Sequence, residues 1–244
     1  MIETWAMTDV GLVRRDNQDA YGVYNEDPCT VCVVCDGMGG VHGGALASRI
    51  AVDTYLEVVR GEIRPNMSTF QMERLSAKAV AEANDAIRRE TERDPFLYGM
   101  GTTLVAALSC GENMAVVSNV GDSRAYHITE SGIRRVTKDH SLVETLVDRG
   151  DITEEEARIH PKRNYITRAL GPEPGILCDG FVVPLEPGEF LLLCSDGLVS
   201  TVSDREMYEE IRGGDLDGCL DRLLAISKRN GAADNVTAVL LRKL

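Results

Sequence analysis

The sequence has no apolar run approaching the ~20 residues that span a bilayer, so no membrane helix is expected. It is also short of basic residues. Lys and Arg number 26 against 39 Asp and Glu, giving a net charge of -13 and a pI near 4.8. A protein that grips duplex nucleic acid ordinarily presents a basic face, so nucleic acid is not an expected partner. The first residues, Met1-Ile2-Glu3-Thr4-Trp5, carry neither a basic start nor an apolar core, so no signal peptide is expected. Internal repeats and low-complexity linkers are missing as well. The seven cysteines are an odd number and several sit inside apolar runs. Both facts suit reduced core thiols in a cytoplasmic protein. Cys29, Cys32 and Cys35 are spaced like half a zinc site, but strand alternation turns Cys32 away from the other two, and no second pair follows.

Several catalytic signatures are absent too. No cysteine is followed six positions later by arginine, so that phosphate-binding loop is missing. Gly121-Asp122-Ser123-Arg124-Ala125 fails the serine-hydrolase elbow at its last position. There is no His-Glu-x-x-His and no Gly-Lys-Ser/Thr, which leaves zincin and P-loop chemistry unsupported.

What is present centres on carboxylates. The apolar run Val31-Cys32-Val33-Val34-Cys35, long enough for a buried strand, leads into Asp36-Gly37-Met38-Gly39-Gly40. The pattern recurs where Leu191-Leu192-Leu193-Cys194-Ser195 runs into Asp196-Gly197. Asp-Gly is a favoured turn dipeptide, so either copy alone reads as an ordinary turn. Asp122, in Gly121-Asp122-Ser123, and Asp234, in Asp234-Asn235, add two more acids at tight turns or strand ends. Carboxylates gathered within a few ångströms repel one another unless a cation compensates them. Hard oxygen ligands suit Mg²⁺ or Mn²⁺ and not Zn²⁺.

The order of elements gives the framework. Thr4 to Val13 reads as a strand interrupted at Gly11, followed by the polar run Arg14 to Asp19. Ala20 to Tyr24 and the run to Cys35 form an antiparallel meander. Gly43 to Arg60 and a segment opened by the Ser68/Gln71 capping box, ending near Asp94-Pro95, read as helices. Short strands follow at 102–109, 114–119, 124–129 and 133–137, with turns at Cys110 to Asn113 and Glu130 to Gly132. Ser141 with Glu144 and Thr153 with Glu156 announce two short helices in an insertion over the scaffold. Strands at 176–184 and 189–195, helices at 203–211 and 216–228, and a strand at 236–241 complete the chain. The order implies packed sheets with helix pairs outside them. Trp5 reads as core, His42 and His127 as surface or strand residues, and His140 and His160 as flanking the insertion.

Read together, these residues resemble the metal-dependent protein serine/threonine phosphatases of type 2C, the PPM family, in its compact bacterial form. The likeness runs in order through Arg14 to Asp19, Asp36 to Gly40, Gly101-Thr102-Thr103, Gly121 to Arg124, Asp139-His140, Ser195-Asp196-Gly197 and Asp234-Asn235. It implies an α+β fold, a four-layer sandwich of two antiparallel sheets flanked by helix pairs. It also implies one catalytic domain over residues 1–244, with a helical flap at about 140–178. Two Mn²⁺ or Mg²⁺ ions would sit at one end. Asp36 would bridge both, the Gly37 carbonyl would bind one, and Asp196 and Asp234 would complete the other. Asp19 would act nearby through water, Asp122 with Asp196 would hold a third, weaker ion, and Arg14 would bind the substrate phosphate.

The implied reaction is hydrolysis of phosphoserine and phosphothreonine on proteins by direct attack of a metal-bridging hydroxide, without a phosphoenzyme. The implied setting is bacterial signalling in the cytoplasm, where a monomer opposes a Ser/Thr protein kinase and acts on the targets of that kinase. Met38 stands where many eukaryotic relatives carry histidine, so the proton for the leaving group must come from elsewhere. Ala45 replaces a position often acidic in bacterial relatives. Two other readings remain: a regulatory binding protein on the same fold, and a hydrolase of small phosphoesters.

Overall fold

The computed structural model describes residues 1–111 and 113–244, without the side chains at 40–42. Glu112, in one expected turn, and the side chain of His42 therefore lie outside the described residues. In chain order the elements are β1 (Ile2–Asp9), β2 (Asp19–Glu26), β3 (Cys29–Met38), α1 (Gly40–Glu62) and α2 (Thr69–Arg93). Then come β4 (Gly101–Thr102), β5 (Leu104–Cys110), β6 (Met114–Val120), β7 (Arg124–Thr129) and β8 (Gly132–Arg135). Two short helices follow, α3 (Leu142–Asp148) and α4 (Glu154–Ile159), then β9 (Asp179–Pro184) and β10 (Phe190–Cys194). The chain closes with α5 (Asp196–Val199), α6 (Asp204–Gly213), α7 (Cys219–Arg229) and β11 (Val236–Lys243).

Two antiparallel sheets result. One has the order β1-β11-β10-β7-β8; the other has the order β2-β3-β5-β6-β9, with β4 pairing β3. β3 explains the layering. Its β-branched valines favour extended backbone, and successive side chains alternate between faces. Val31, Val33 and Cys35 enter a core shared with Ala47 and Tyr55 of α1 and Leu75 and Ala83 of α2. Cys32 and Val34 enter the core between the sheets, against Leu191, Leu193 and Val239. Cys29 and Cys35 thus face away from Cys32, as alternation requires, and burial pushes the Cys32 thiol up. A third core packs Met207 and Ile211 of α6 and Leu220 and Leu223 of α7 on the outer face of the first sheet. Trp5 packs half-buried at its edge. The four layers are helix pair, sheet, sheet, helix pair.

Local signals set the helix ends. Ser68/Gln71, Thr153/Glu156 and Ser203/Glu206 each form the reciprocal capping box. At Ser141 only half of the box forms, because the Glu144 carboxylate is taken by Arg135, 2.9 Å away. The expected strand through Val13 stops at Asp9, and residues 10–18 form a loop. Among the described residues no helix is long and apolar enough to cross a membrane. The β2/β3 register places Asp19 directly opposite Asp36 and Glu26 opposite Cys29, joined by the two residues Asp27 and Pro28.

Candidate active site

The strands deliver the carboxylates to one end of the sandwich. Asp19 and Asp36 face each other across β2 and β3. Asp196 opens α5 directly after β10, and Asp234 lies just before β11, the neighbour of β10. Asp122 occupies the turn between β6 and β7. Asp36, Asp122, Asp196, Asp234, Gly37, Met38 and Arg14 border one open cavity of ≈ 590 Å³. Asp19 sits behind it. The Asp19 Oδ2 atom accepts a hydrogen bond from the Ser195 hydroxyl at 2.8 Å.

Their electrostatics are mutual. Burial pushes the Asp36 carboxyl well above its ordinary value, and Asp19, Asp196, Asp122 and Asp234 push it further. Burial, then Asp196 and Asp139, raise Asp122 to about 7. Burial raises Asp19 to about 6, with Asp196 and Asp234 adding and the Thr237 and Ser195 hydroxyls opposing. Asp196 is raised by burial and by Asp234, and the Asp36 carboxyl reaches hydrogen-bonding range of it. Carboxyls that close must share a proton or a cation.

Asp19 Oδ1 and Asp196 Oδ1 are buried with no hydrogen-bond partner. A buried acceptor without a donor costs about 1–3 kcal/mol, more for a charged one. A hard dication is the partner such oxygens fit. Among the described residues no three His, Cys, Asp or Glu side chains close into a finished coordination shell. The fit to metal therefore rests on the donor chemistry and on those two orphaned oxygens.

The main chain around Asp36 is clamped by residues that the sequence marked only as a strand start. Asp36 N donates to Thr103 Oγ1 (2.9 Å), and the Asp36 carbonyl accepts from Thr103 N (2.9 Å) and Thr102 Oγ1 (2.9 Å). Thr103 Oγ1 in turn meets Ser123 Oγ at 2.7 Å, beside Asp122. The residue after Asp36 must be glycine. A Cβ at Gly37 would stand 2.1 Å from the Gly44 carbonyl oxygen and 2.5 Å from that of Gln18.

Arg14 reaches the cluster from the 10–18 loop, its Nη2 2.7 Å from Asp234 Oδ2. The side chain is 56% exposed and so remains reachable by a ligand. Arg15, on the same loop, also borders the cavity. Of the two, Arg14 makes the ion pair.

The three histidines with described side chains make structural contacts. His127 is a residue of strand β7 and is buried, its Nε2 2.9 Å from Glu189. His160 Nδ1 accepts from the Lys162 amide. His140 ties the Asp122 turn to the 140–178 segment: its Nδ1 accepts from Gly121 N (3.0 Å), and its Nε2 lies 3.0 Å from Arg168 and 3.2 Å from Asp179. Burial lowers its pKa, with Asp179 opposing. Between that segment and α6, a second cleft of ≈ 1210 Å³ shares Asp122, Asn164 and Asp196 with the first cavity.

A family model described as protein phosphatase 2C matches residues 14–240. The chain is 38% identical over 238 residues to serine/threonine phosphatase stp of Listeria monocytogenes, covering 97% of this chain and 94% of that protein. The crystal structure of serine/threonine phosphatase Stp1 from Staphylococcus aureus is similar at a TM-score of 0.92, with 36% identity over 100% of this chain and 96% of that one. The catalytic domain of the serine/threonine protein phosphatase PstP, crystallised with two manganese ions, is similar at 0.85, with 33% identity over 99% and 97% of the two chains. The chain belongs to the protein phosphatase 2C family.

Proposed function

We propose that the protein is a metal-dependent phosphatase that hydrolyses phosphoserine and phosphothreonine on proteins. The observation that carries this reading is the gathering of Asp36, Asp122, Asp196 and Asp234 with Arg14 at one cavity, with Asp19 behind it, in a member of this family. Asp36, with the Gly37 carbonyl, Asp196 and Asp234 are the groups to hold two core ions, Mn²⁺ or Mg²⁺. Asp19 would support them through water, and Asp122 with Asp196 would offer a third, weaker position. When bound, such ions neutralise the phosphoryl oxygens and lower the pKa of a water that attacks phosphorus in line.

The chain's own residues do the rest. Arg14 turns its planar fork from Asp234 to two phosphate oxygens. Thr102 and Thr103 keep the Asp36 backbone from shifting. Met38, at the rim, has no proton to give, so the leaving alkoxide takes one from water. We further read residues 1–244 as one catalytic domain with a flap at 140–178. It acts as a monomer in the bacterial cytoplasm, opposing a Ser/Thr kinase. The two manganese ions in the PstP structure support the choice of metal.

Turnover of a phosphothreonine peptide with Mn²⁺, with Mg²⁺ and with chelator tests the reading. Activity restored by metal and removed by chelator is expected. Metal-independent turnover would refute it. No turnover at all would favour a binding role, and a preference for free small phosphoesters would favour the other hydrolase.

Asp122 gives a finer test. It is half-buried at a turn, beside Asp196 but on a different loop from the core carboxylates. Asp122→Ala should keep two tightly bound ions and lose about tenfold in kcat/KM on the peptide, roughly 1.4 kcal/mol. Metal titration that finds the core centre emptied would contradict this.

A further inference from the structure

We infer that Asn235 is a positioning residue for catalysis: its side chain fixes the loop that carries Arg14. Residues 10–18 contain no helix or strand, so something else must hold Arg14 at the carboxylates. Asn235 is 5% exposed. Its Nδ2 donates to the carbonyls of Val10 (3.0 Å) and Asp16 (3.1 Å), and its Oδ1 accepts from Gln18 N (2.8 Å). One amide thus grips the loop on both sides of Arg14 with both of its donor hydrogens and its acceptor oxygen.

The seat is shaped to match. Leu12 N donates to the Ala232 carbonyl at 2.9 Å. Gly11 takes a φ of +77°, and a Cβ there would stand 2.2 Å from the Asp234 carbonyl oxygen. Asn235 N also donates to Asp234 Oδ1 at 2.9 Å, while Asp234 Oδ2 holds Arg14. The dipeptide Asp234-Asn235 therefore orients one carboxylate of the cluster and sets the reach of the arginine from the same point. Asp at 235 would keep the shape but lose both donors; Ala would lose all three bonds. Asn235 borders the same cavity, but all three of its side-chain hydrogen bonds go to the loop, so it acts through Arg14.

This inference rests on the reading that Arg14 binds the substrate phosphate. The test measures steady-state kinetics on a phosphothreonine peptide at saturating Mn²⁺ for wild type, Arg14→Ala, Asn235→Ala, Asn235→Asp and the double variant Arg14→Ala/Asn235→Ala. Mn²⁺ affinity is followed by calorimetry. Asn235→Ala and Asn235→Asp should each lose about ten- to a hundredfold in kcat/KM, mainly in KM, the worth of one charged hydrogen bond. The double variant should stay within about threefold of Arg14→Ala, because the two residues act as one unit, and Mn²⁺ affinity should not weaken in any variant. Multiplying losses in the double variant, or a loss traced to weakened Mn²⁺ binding, would overturn the inference. Amide exchange in the wild-type protein decides the matter even if every variant fails to fold: a protected Gln18 amide supports the clamp, and a freely exchanging one refutes it. A wild type without turnover would sink the functional reading, while the exchange measurement would still decide whether Asn235 holds the loop.

Discussion

Asp36→Asn should fold, bind Mn²⁺ poorly and lose at least about a thousandfold in turnover of a phosphothreonine peptide, some 4 kcal/mol of transition-state stabilisation. Asp196→Asn should behave alike. The same change should have the opposite effect on the metal-free protein. Burial, reinforced by four neighbouring aspartates, lifts the Asp36 carboxyl well above its ordinary value. A carboxyl raised in the folded state binds its proton more tightly there than in the unfolded chain. The contribution of this carboxyl to metal-free stability is then fullest below the ordinary carboxylate range, near pH ~4, and is lost as pH rises through the folded value. Asparagine cannot ionise. In chelator at pH 8, Asp36→Asn should therefore melt above wild type, by about 2–4 °C for each ~1 kcal/mol relieved in a chain of this size. With metal the order should reverse, because only wild type gains the binding energy. Calorimetry with and without chelator checks both signs. A variant that melts lower in chelator, or keeps most of its activity, would contradict the account.

The second large effect concerns Arg14. Its ion pair with Asp234 is partly exposed, so it adds little to stability, and its value lies in reaching phosphate. Arg14→Ala should lose about ten- to a hundredfold in kcat/KM, mainly through KM, as expected when one charge-assisted hydrogen bond is removed. Arg14→Lys should recover only part, since an ammonium cannot hold two oxygens in a plane. Removing the guanidinium also frees Asp234, so the Mn²⁺ affinity of Arg14→Ala should be no weaker than that of wild type. Arg15→Ala borders the same cavity without an ion pair and should stay within about twofold. Rescue of Arg14→Ala by added Mn²⁺, or a larger defect in Arg15→Ala, would place the role elsewhere.

What could be read in advance was local. The valine run of β3, the Asp-Gly stops after β3 and β10, and the boxes at Ser68, Thr153 and Ser203 are set by neighbours a few residues away. The Ser141 box was legible only by half, because Arg135 claims Glu144. Residues 10–13 read as strand because the amide that bends them into the loop lies more than two hundred residues away, at position 235. The clamp of Thr102 and Thr103 on Asp36 likewise crosses about 66 residues, and a Gly-Thr-Thr run carries no mark of it. Each aspartate stood at a strand end in the sequence. Their meeting depended on strand order, which the resemblance to the family supplied and spacing could not.

The pairing of Asp19 with Asp36 ties the two-residue connection Asp27-Pro28 to the carboxylate cluster, though it lies about 24 Å away at the far end of both strands. That connection works as a ruler. Lengthening it by one residue invites β2 to slip one step along β3, and a one-step slip turns every side chain of the strand to the opposite face. Ala20 or Gln18 would then stand opposite Asp36, and the Asp19 carboxylate would leave the cluster. The dimensions of the carboxylate cluster are thus written partly in the length of a turn that never touches it.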